Sequence, residues 1–438
     1  MTHIRGPGAL LPAAGQPHRG RLRIGLHMAG GLGVVGAAGY AFVSITGHVF
    51  TGAGRAADVA ALTSLYLIAN IIGPGIFTAL EQETSRAAST SIATGHSIVA
   101  VTRRAAWLAG ALFVAVTAVL VALWPGVLSH VLNNREGLLG AAVLAAAGSA
   151  LAYWARGLLS GQHRFGRYAT TLYVEGSARL VACLMLLGLA VRVPEAYGVA
   201  FAIGAGAGGL AGLRRGRSAP AAPAAGQLRG MGGSVAFLVS ATLLMQLMAN
   251  LGPVVVAYRL PADPVGVSVF AATFVLARLP LFLFSPLQVV LVPSLTRAVT
   301  NRAWGELRRR VVLVLLAVVA VAGVGAVLAV FFGPWAVRVL LGAAYAPTAG
   351  TVAVLAVATT LMMVAQILQP ALIALRRQVH VMVAWAVGAA AFLGVLLAPL
   401  EPVTAALAAQ IIGPAVVVIC AGTTFVVALR NSVEQGQG

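Results

Sequence analysis

Apolar runs recur along this chain, each close to the roughly 20 residues that cross a hydrocarbon core as a helix, and they restrict its possible folds. Asp, Glu, Lys and Arg make up only 9% of the residues, so few charges interrupt these runs. Twelve runs cover residues 26–47, 59–80, 105–124, 137–156, 168–190, 196–213, 234–257, 266–293, 311–333, 349–375, 381–399 and 403–428. The sequence therefore predicts an all-α integral membrane protein with about 12 transmembrane helices.

The arginines fall in alternate gaps between the runs, and this alternation predicts the orientation of the chain. Loops that remain in the cytoplasm carry an excess of basic residues. One set of gaps, together with the tails, holds 22 of the 29 basic residues, and Arg156 is assigned to this set; the other gaps hold five. We therefore expect a multi-pass protein of the plasma (inner) membrane with both termini in the cytoplasm. The net charge of +19 then reflects topology, and no nucleic-acid partner is expected.

The longest polar interruption, residues 214–232, divides the runs into six and six. A weak internal repeat supports this division: Trp124-Pro125 corresponds to Gly333-Pro334, and Gly176 corresponds to Gly388. Repeats of the same orientation are related by an axis along the membrane normal, with a cavity between them. The predicted organisation is a cytoplasmic basic tail (1–25), an N-terminal six-helix lobe (26–213), a cytoplasmic linker (214–232), a C-terminal six-helix lobe (233–428) and a cytoplasmic tail (429–438).

Signatures of catalysis and of metal binding do not stand out in the sequence. It contains no Walker A motif, no Ser/His/Asp arrangement and no paired carboxylates of the catalytic kind. Cys183 and Cys420 lie far apart, each within an apolar run, and the eight histidines form no cluster with ligand spacing. We therefore predict that the protein is not an enzyme and uses no metal or other cofactor.

Three charged residues lie inside apolar runs, where a charge is costly and normally faces protein or water. Arg278 has no acidic residue in its own run, so it could meet an anionic substrate, or it could be satisfied by nearby carbonyl groups. Glu175 and Arg179 are four residues apart and can pair on one helix face. This pair could be structural, or a substrate or a proton could compete for one of its members.

Uncharged polar residues also occur in pairs at helical spacing within the runs. Such groups often join neighbouring helices by hydrogen bonds. Alternatively, they could line one polar chamber together with Arg278. The pairs are Tyr66 and Asn70, Gln246 and Asn250, and Gln366 and Gln369.

Two further patterns lie near the ends of predicted spans. Glu81, Glu83 and Arg86 follow the second run, and we predict that they form an ion-pair gate with the basic cluster that begins at Arg297; a solvated helix end is the alternative. Glycines recur every four residues at 204, 208 and 212, a spacing that lets another helix approach closely.

Four segments of the chain resemble the polysaccharide-exporter branch of the multidrug/oligosaccharidyl-lipid/polysaccharide flippase superfamily. The resemblance extends over about residues 26–428. It rests on diffuse patterns of moderate specificity. The segments are 80–86 (LEQETSR), 156–161 (RGLLSG), 278–282 (RLPLF) and 337–342 (VRVLLG), the last one ahead of Tyr345.

The resemblance implies a MATE-like carrier of two pseudo-symmetric lobes that works by alternating access. Its substrate would be an undecaprenyl-pyrophosphate-linked oligosaccharide, flipped across the plasma membrane for cell-surface polysaccharide biosynthesis in a bacterium. Membrane lipids, a polysaccharide polymerase and glycosyltransferases are the implied partners. The implied binding role falls on Arg278, Arg179, Glu175, Asn70, Gln246, Asn250 and Gln366.

Two other functions remain open at this point. The first is a MATE-type antiporter of small organic solutes or drugs. Drug-exporting relatives use membrane-embedded carboxylates, and the first and seventh runs of this chain contain none, which weighs against cationic drugs. The second is a membrane partner of a cell-envelope assembly complex that performs no transport itself.

Overall fold

The computed structural model describes residues 18–50, 55–213, 231–281, 295, 298–299, 301–341, 347–375 and 377–434. Long helices dominate this part of the chain, and no strand occurs in it. In chain order they are α1 (His18–Val49), α2 (Ala56–Ala93), α3 (Val99–Val131), α4 (Glu136–Gly161), α5 (Phe165–Gly188), α6 (Pro194–Gly212), α7 (Met231–Arg259), α8 (Pro264–Ala277), α9 (Trp304–Leu341), α10 (Ala349–Ala374), α11 (Gln378–Leu396) and α12 (Pro402–Glu434).

The helices coincide with the predicted spans, which confirms the all-α membrane fold. Eleven of them are long and apolar enough to cross a membrane. The remaining one, α6, is 19 residues long and contains six glycines and Glu195. Several helices extend beyond the predicted runs; α2, for example, continues to Ala93 through polar residues that hydropathy does not count.

Prolines mark both the beginnings of helices and their irregular turns. Pro194, Pro264 and Pro402 each occupy the first turn of a helix, where a missing N–H costs little. Pro74 lies in a π-helical turn of α2, Gly73–Phe77, and a π turn occurs in α3 at Trp124–Leu128. The irregularity of α2 at Pro74 is therefore a local π turn.

The eighth span is interrupted, as its prolines predict. Helix α8 ends at Ala277, and Arg278 is its C-cap, two residues before Pro280. Pro280 has no N–H to donate to the carbonyl of Leu276, four residues earlier, which accounts for the interruption at Arg278; helical geometry resumes over residues 279–281. The rest of this predicted span, together with Pro286, Arg297 and Tyr345, lies outside the described residues.

The helices pack as two groups, α1 to α6 and α7 to α12. Within the first group α6 lies between α4 and α5, and within the second α12 packs against α10 and α11. The groups meet mainly where α2 contacts α7 and α8. The π turn of α2 is part of this contact, because the Thr242 hydroxyl of α7 donates to the carbonyl of Gly75 at 2.6 Å. The irregular turn of α2 therefore joins the two groups.

Candidate functional site

A cavity of about 440 Å³ lies between the two groups of helices. Its walls come from α1, α2, α4, α5 and α6 on one side and from α7, α8 and α10 on the other. The structure thus brings together polar residues from all the spans that were expected to form one chamber. Residues predicted to bind substrate all line it, although their binding role remains a prediction: Asn70, Glu175, Arg179, Gln246, Asn250, Arg278 and Gln366.

Glu175 lies between two arginines on the wall formed by α4 and α5. Its Oε1 atom is 3.2 Å from Arg179, the partner expected from their spacing. Its Oε2 atom is 2.5 Å from Arg156 of α4, whose Nε also donates to the Thr171 hydroxyl at 3.0 Å. All three charged side chains are buried. The cluster therefore carries two positive charges and one negative charge in a membrane-embedded wall.

Arg156, which the charge alternation assigned to a cytoplasmic gap, does not lie in a loop between helices. The residue is only 4% exposed and lies within α4, which continues for five residues beyond it to Gly161. The apolar run ends at Arg156, and hydropathy alone therefore grouped it with the gap that follows. Its position inside the helix, opposite Glu175 of α5, is set by how α4 and α5 pack.

The glycine stripe of α6 allows this charged cluster to be buried. A Cβ atom at Gly204 would lie 2.8 Å from the carbonyl oxygen of Glu175, and one at Gly208 would lie 2.7 Å from that of Thr171. Only glycine permits so close an approach of α6 to α5, as the spacing predicted. Arg179 uses this proximity: its Nε donates to the Phe201 carbonyl at 3.2 Å, and its guanidinium lies 4.0 Å from the Phe201 ring centroid.

Arg278 has neutral partners. Its Nη2 donates to Oε1 of Gln410 at 3.0 Å, and its guanidinium lies 4.1 Å from the centroid of Phe274. Gln410 in turn donates to the Met248 carbonyl at 3.0 Å, so its orientation is fixed. Among the described residues, no carboxylate forms a salt bridge with Arg278. Its positive charge is thus available to an anion that enters the cavity.

The predicted polar pairs contribute to the cavity in different ways. Asn250 donates to the Gln246 side chain at 2.9 Å, so this pair is linked within α7. Asn70 donates to the backbone carbonyl of Tyr66 at 2.8 Å, and both residues line the cavity. The two glutamines of α10 differ in their surroundings, and only Gln366 of the two lines the cavity. Gln369 instead accepts a hydrogen bond from the indole of Trp385 at 3.0 Å.

Several cavity residues were not identified from the sequence as site residues. Besides Arg156, these include tyrosines that offer hydroxyl groups and aromatic faces, the groups that commonly contact sugars and polar head groups. No spacing pattern singles them out among the tyrosines of the chain. They are Tyr40, Tyr153 and Tyr168.

The predicted gate residues make contacts within the first group of helices. Glu83 forms two hydrogen bonds with Arg86, at 2.6 and 2.8 Å, one helical turn away. Glu81 lines the cavity and accepts a hydrogen bond from Tyr168 at 2.8 Å. Arg297 lies outside the described residues, so the gate between Glu81, Glu83, Arg86 and Arg297 remains a prediction.

The two groups touch at the end of the bundle where α2 and α8 begin. The Ser268 hydroxyl donates to the Ala56 carbonyl at 2.9 Å, and the rings of His130 and Tyr258 meet edge to face. Arg135 also strengthens the first group at this end by pairing with Asp58 and Glu195 on two other helices. In the described part of the chain, this end of the cavity is therefore bridged by direct contacts.

These helices and the cavity between them define the fold of the MATE transporters. An inward-facing multidrug resistance MATE family transporter of the MOP superfamily matches with a TM-score of 0.69 and 12% identity, over 91% of this chain and 96% of that one. The eukaryotic MATE transporter AtDTX14 matches with a TM-score of 0.63 and 12% identity, over 95% of this chain and 99% of that one. At such identities the similarity describes the fold alone.

An outward-facing multidrug resistance MATE family transporter is also similar, with a TM-score of 0.62 and 11% identity over 96% of this chain and 98% of that one. The chain is thus more similar to the inward-facing structure than to this outward-facing one. No family model and no curated protein matches the sequence.

Proposed function

We propose that this protein is an alternating-access transporter that flips an anionic lipid-linked oligosaccharide, of the undecaprenyl-pyrophosphate type, across the plasma membrane. The observation that carries the proposal is the partly buried Arg278 guanidinium in the cavity wall, whose hydrogen-bond partner Gln410 is neutral. Arginine stays charged when it is buried, and it binds phosphate groups through two parallel hydrogen bonds. A pyrophosphate is therefore a suitable ligand.

The charge balance of the cavity supports an anionic substrate. Arg156, Arg179 and Arg278 line it, against the two carboxylates Glu81 and Glu175. Glu175 is already shared by two of these arginines, so it has little capacity left for a cation. The amides and tyrosine hydroxyls around them would contact the sugar units.

Alternating access is supported by the contacts between the two groups of helices. The end where α2 and α8 begin is bridged, and the predicted orientation makes it the external end. The bridged state would then accept substrate from the cytoplasm, where glycosyltransferases build the lipid-linked unit. A polymerase would act on the unit after it is flipped.

An antiporter of small organic solutes or drugs is the second candidate. It is favoured by one observation, the position of Glu81 in the cavity, where its carboxylate is held by the neutral Tyr168 hydroxyl. Such a carboxylate could attract an organic cation. The two candidates therefore predict opposite dependences on cavity charge.

The test uses the purified protein in proteoliposomes with two substrates, a fluorescent undecaprenyl-pyrophosphate disaccharide and the cation ethidium. We expect the wild type to flip the lipid-linked sugar, Arg278→Ala to abolish flipping and Arg278→Lys to restore it only partly, because lysine lacks the two-pronged geometry. Arg259→Ala is the control: this arginine belongs to the same group of helices but donates to carbonyls at the end of α11 and just after it, outside the cavity.

Wild-type flipping by Arg278→Ala would show that this residue is structural and would remove the main reason for an anionic substrate. Transport of ethidium that is lost in Glu81→Gln and kept in Arg278→Ala would favour the antiporter. An equal loss of flipping in Arg259→Ala would indicate that the effect comes from weakened packing of the second group.

A further inference from the structure

A second cavity, of about 350 Å³, lies among α8, α9 and α10. We call it the apolar groove. Hydrocarbon side chains such as Leu276, Val352 and Met363 form most of its surface. The hydroxyls of Thr273 and Thr360, which also line it, donate to carbonyls of their own helices at 2.6 and 2.9 Å. The groove is therefore suited to a hydrocarbon chain.

The apolar groove opens towards the hydrocarbon region of the bilayer. Leu328 and Phe332 of α9 border it and are 51% and 59% exposed on a helix long and apolar enough to span the membrane. A large apolar side chain exposed at this depth faces lipid, and a lipid chain is the apolar molecule that is abundant there. Its occupant is consequently expected to come from the bilayer itself.

One short stretch of chain separates the apolar groove from the cationic cavity. Ala277 and Leu279 line the groove, whereas Arg278 between them lines the cavity, as does Leu281. A group bound to the Arg278 guanidinium and a chain in the groove would therefore lie on opposite sides of the same few residues. An amphiphile with a phosphate joined to a long apolar chain has this arrangement.

We propose that the apolar groove holds part of the isoprenoid chain of the lipid whose phosphate lies beside Arg278. The inference rests on the proposed function and adds a tail site to it. A carrier that passes the polar head group through its centre has to leave the long tail in the membrane. The groove would hold the part of the tail next to the head group, so that the phosphate stays beside Arg278 in the cavity.

Two glycines of α9 provide a matched pair of variants. A Cβ atom at Gly325, which lines the apolar groove, would meet no atom within 4 Å, so leucine at this position would grow into the groove without a clash at its base. A Cβ atom at Gly323 is equally free, but this residue does not line the groove. Gly325→Leu tests the groove, and Gly323→Leu controls for the added bulk and the lost glycine.

Labelling is measured with undecaprenyl pyrophosphate that carries a diazirine in the isoprenoid chain, using the full-length protein in proteoliposomes. We expect cross-links in the peptides of α8, α9 and α10 that line the apolar groove. Gly325→Leu should reduce them severalfold, because the leucine side chain would fill the part of the groove that the isoprenoid chain occupies. Gly323→Leu should label like the wild type.

Flipping is measured in parallel with two pyrophosphate-linked disaccharides, one on the undecaprenyl chain and one on a chain of two isoprene units. Gly325→Leu should raise the KM for the long-chain substrate and leave that for the short-chain one unchanged. Arg278→Ala should impair both. The tail site and the head-group site are thereby tested separately.

The outcomes separate this proposal from the function on which it rests. If the wild type flips the long-chain substrate but the groove peptides are not labelled, the tail site is wrong and the proposed function stands. If the groove peptides are labelled, and unlabelled undecaprenyl pyrophosphate competes with the labelling, but neither substrate is flipped, the tail site stands and the function fails. If a diazirine phospholipid labels the groove and undecaprenyl pyrophosphate does not compete with it, the groove holds an ordinary bilayer lipid and the proposal is overturned.

Discussion

Glu175 is the carboxylate that Arg156 and Arg179 share, and the structure predicts what its removal does to the first group of helices. The substitution Glu175→Ala would leave two buried guanidinium groups without a carboxylate partner. Arg156 would keep its bond to Thr171, and Arg179 would keep its bond to the Phe201 carbonyl. The charges would remain in the membrane-embedded wall, so the folded state should be destabilised.

The expected magnitude follows from the two bonds that are lost. Hydrogen bonds to charged groups contribute about 1.5–3 kcal/mol each. Removing one partner from a buried ion pair costs about 3–5 kcal/mol, because an uncompensated charge is left behind. We therefore expect Glu175→Ala to lower the free energy of unfolding by about 3–5 kcal/mol. Glu175→Gln should cost less, since its amide oxygen still accepts one hydrogen bond.

The control is Glu306→Ala, which removes an ion pair of the same spacing from an exposed position. Glu306 pairs with Arg310 four residues later, as Glu175 does with Arg179, but the Glu306 side chain is 51% exposed. An exposed pair of this kind contributes about 0–1 kcal/mol. The two substitutions therefore differ mainly in burial.

The buried thiol of Cys183 on α5 makes the measurement specific for the first group of helices. It is 1% exposed, so it reacts with a thiol-sensitive dye only when this region opens. In a Cys420→Ala background, Glu175→Ala should lower the melting temperature in detergent by roughly 5–15 °C at a fixed scan rate. Glu306→Ala should change it by no more than about 2 °C. Equal shifts for the two variants would refute the idea that the cluster is buried and mutually compensated.

Two further predictions concern helix packing and topology. A Cβ atom at Gly208 would lie 2.7 Å from the Thr171 carbonyl, whereas one at Gly206 would meet open space. Gly208→Leu should therefore lower the free energy of unfolding by about 1–3 kcal/mol or more, and Gly206→Leu by much less. Equal melting curves for the two variants in the same dye assay would contradict the packing of α6 on α5. Reporter fusions should give a cytoplasmic signal at Arg217 and an external one at Asp263, and one reversed signal would overturn the predicted orientation.

Much of the fold could be predicted because the bilayer allows few structures. Apolar runs of membrane-spanning length have to be helical, since backbone groups in hydrocarbon need partners within the same segment. The predicted runs and the observed helices accordingly coincide, apart from the second half of the eighth run, which lies outside the described residues. Hydropathy gave their ends less accurately, because α2 and α9 continue as helices through polar residues.

The candidate site was predictable only in part. Charged and amide residues inside apolar runs are costly, so Glu175, Arg179 and Arg278 stood out as residues that need a protein or aqueous environment, and all three line the cavity. Arg156 did not stand out, because it lies at the end of its run and resembles a loop arginine. Gln410 was equally inconspicuous, since a single glutamine in a long apolar run has no spacing that indicates its partner.

The sequence by itself determined which segments cross the membrane and which charges within them require compensation, because these follow from the energy of each residue in hydrocarbon. Only the tertiary structure decided which groups form hydrogen bonds and ion pairs with these polar residues. Gln366 faces the cavity while Gln369, one turn away, is bonded to Trp385, and Glu175 is shared by arginines of two helices. Such choices depend on which helix faces meet and how closely glycines let them approach, and local composition does not encode these distances.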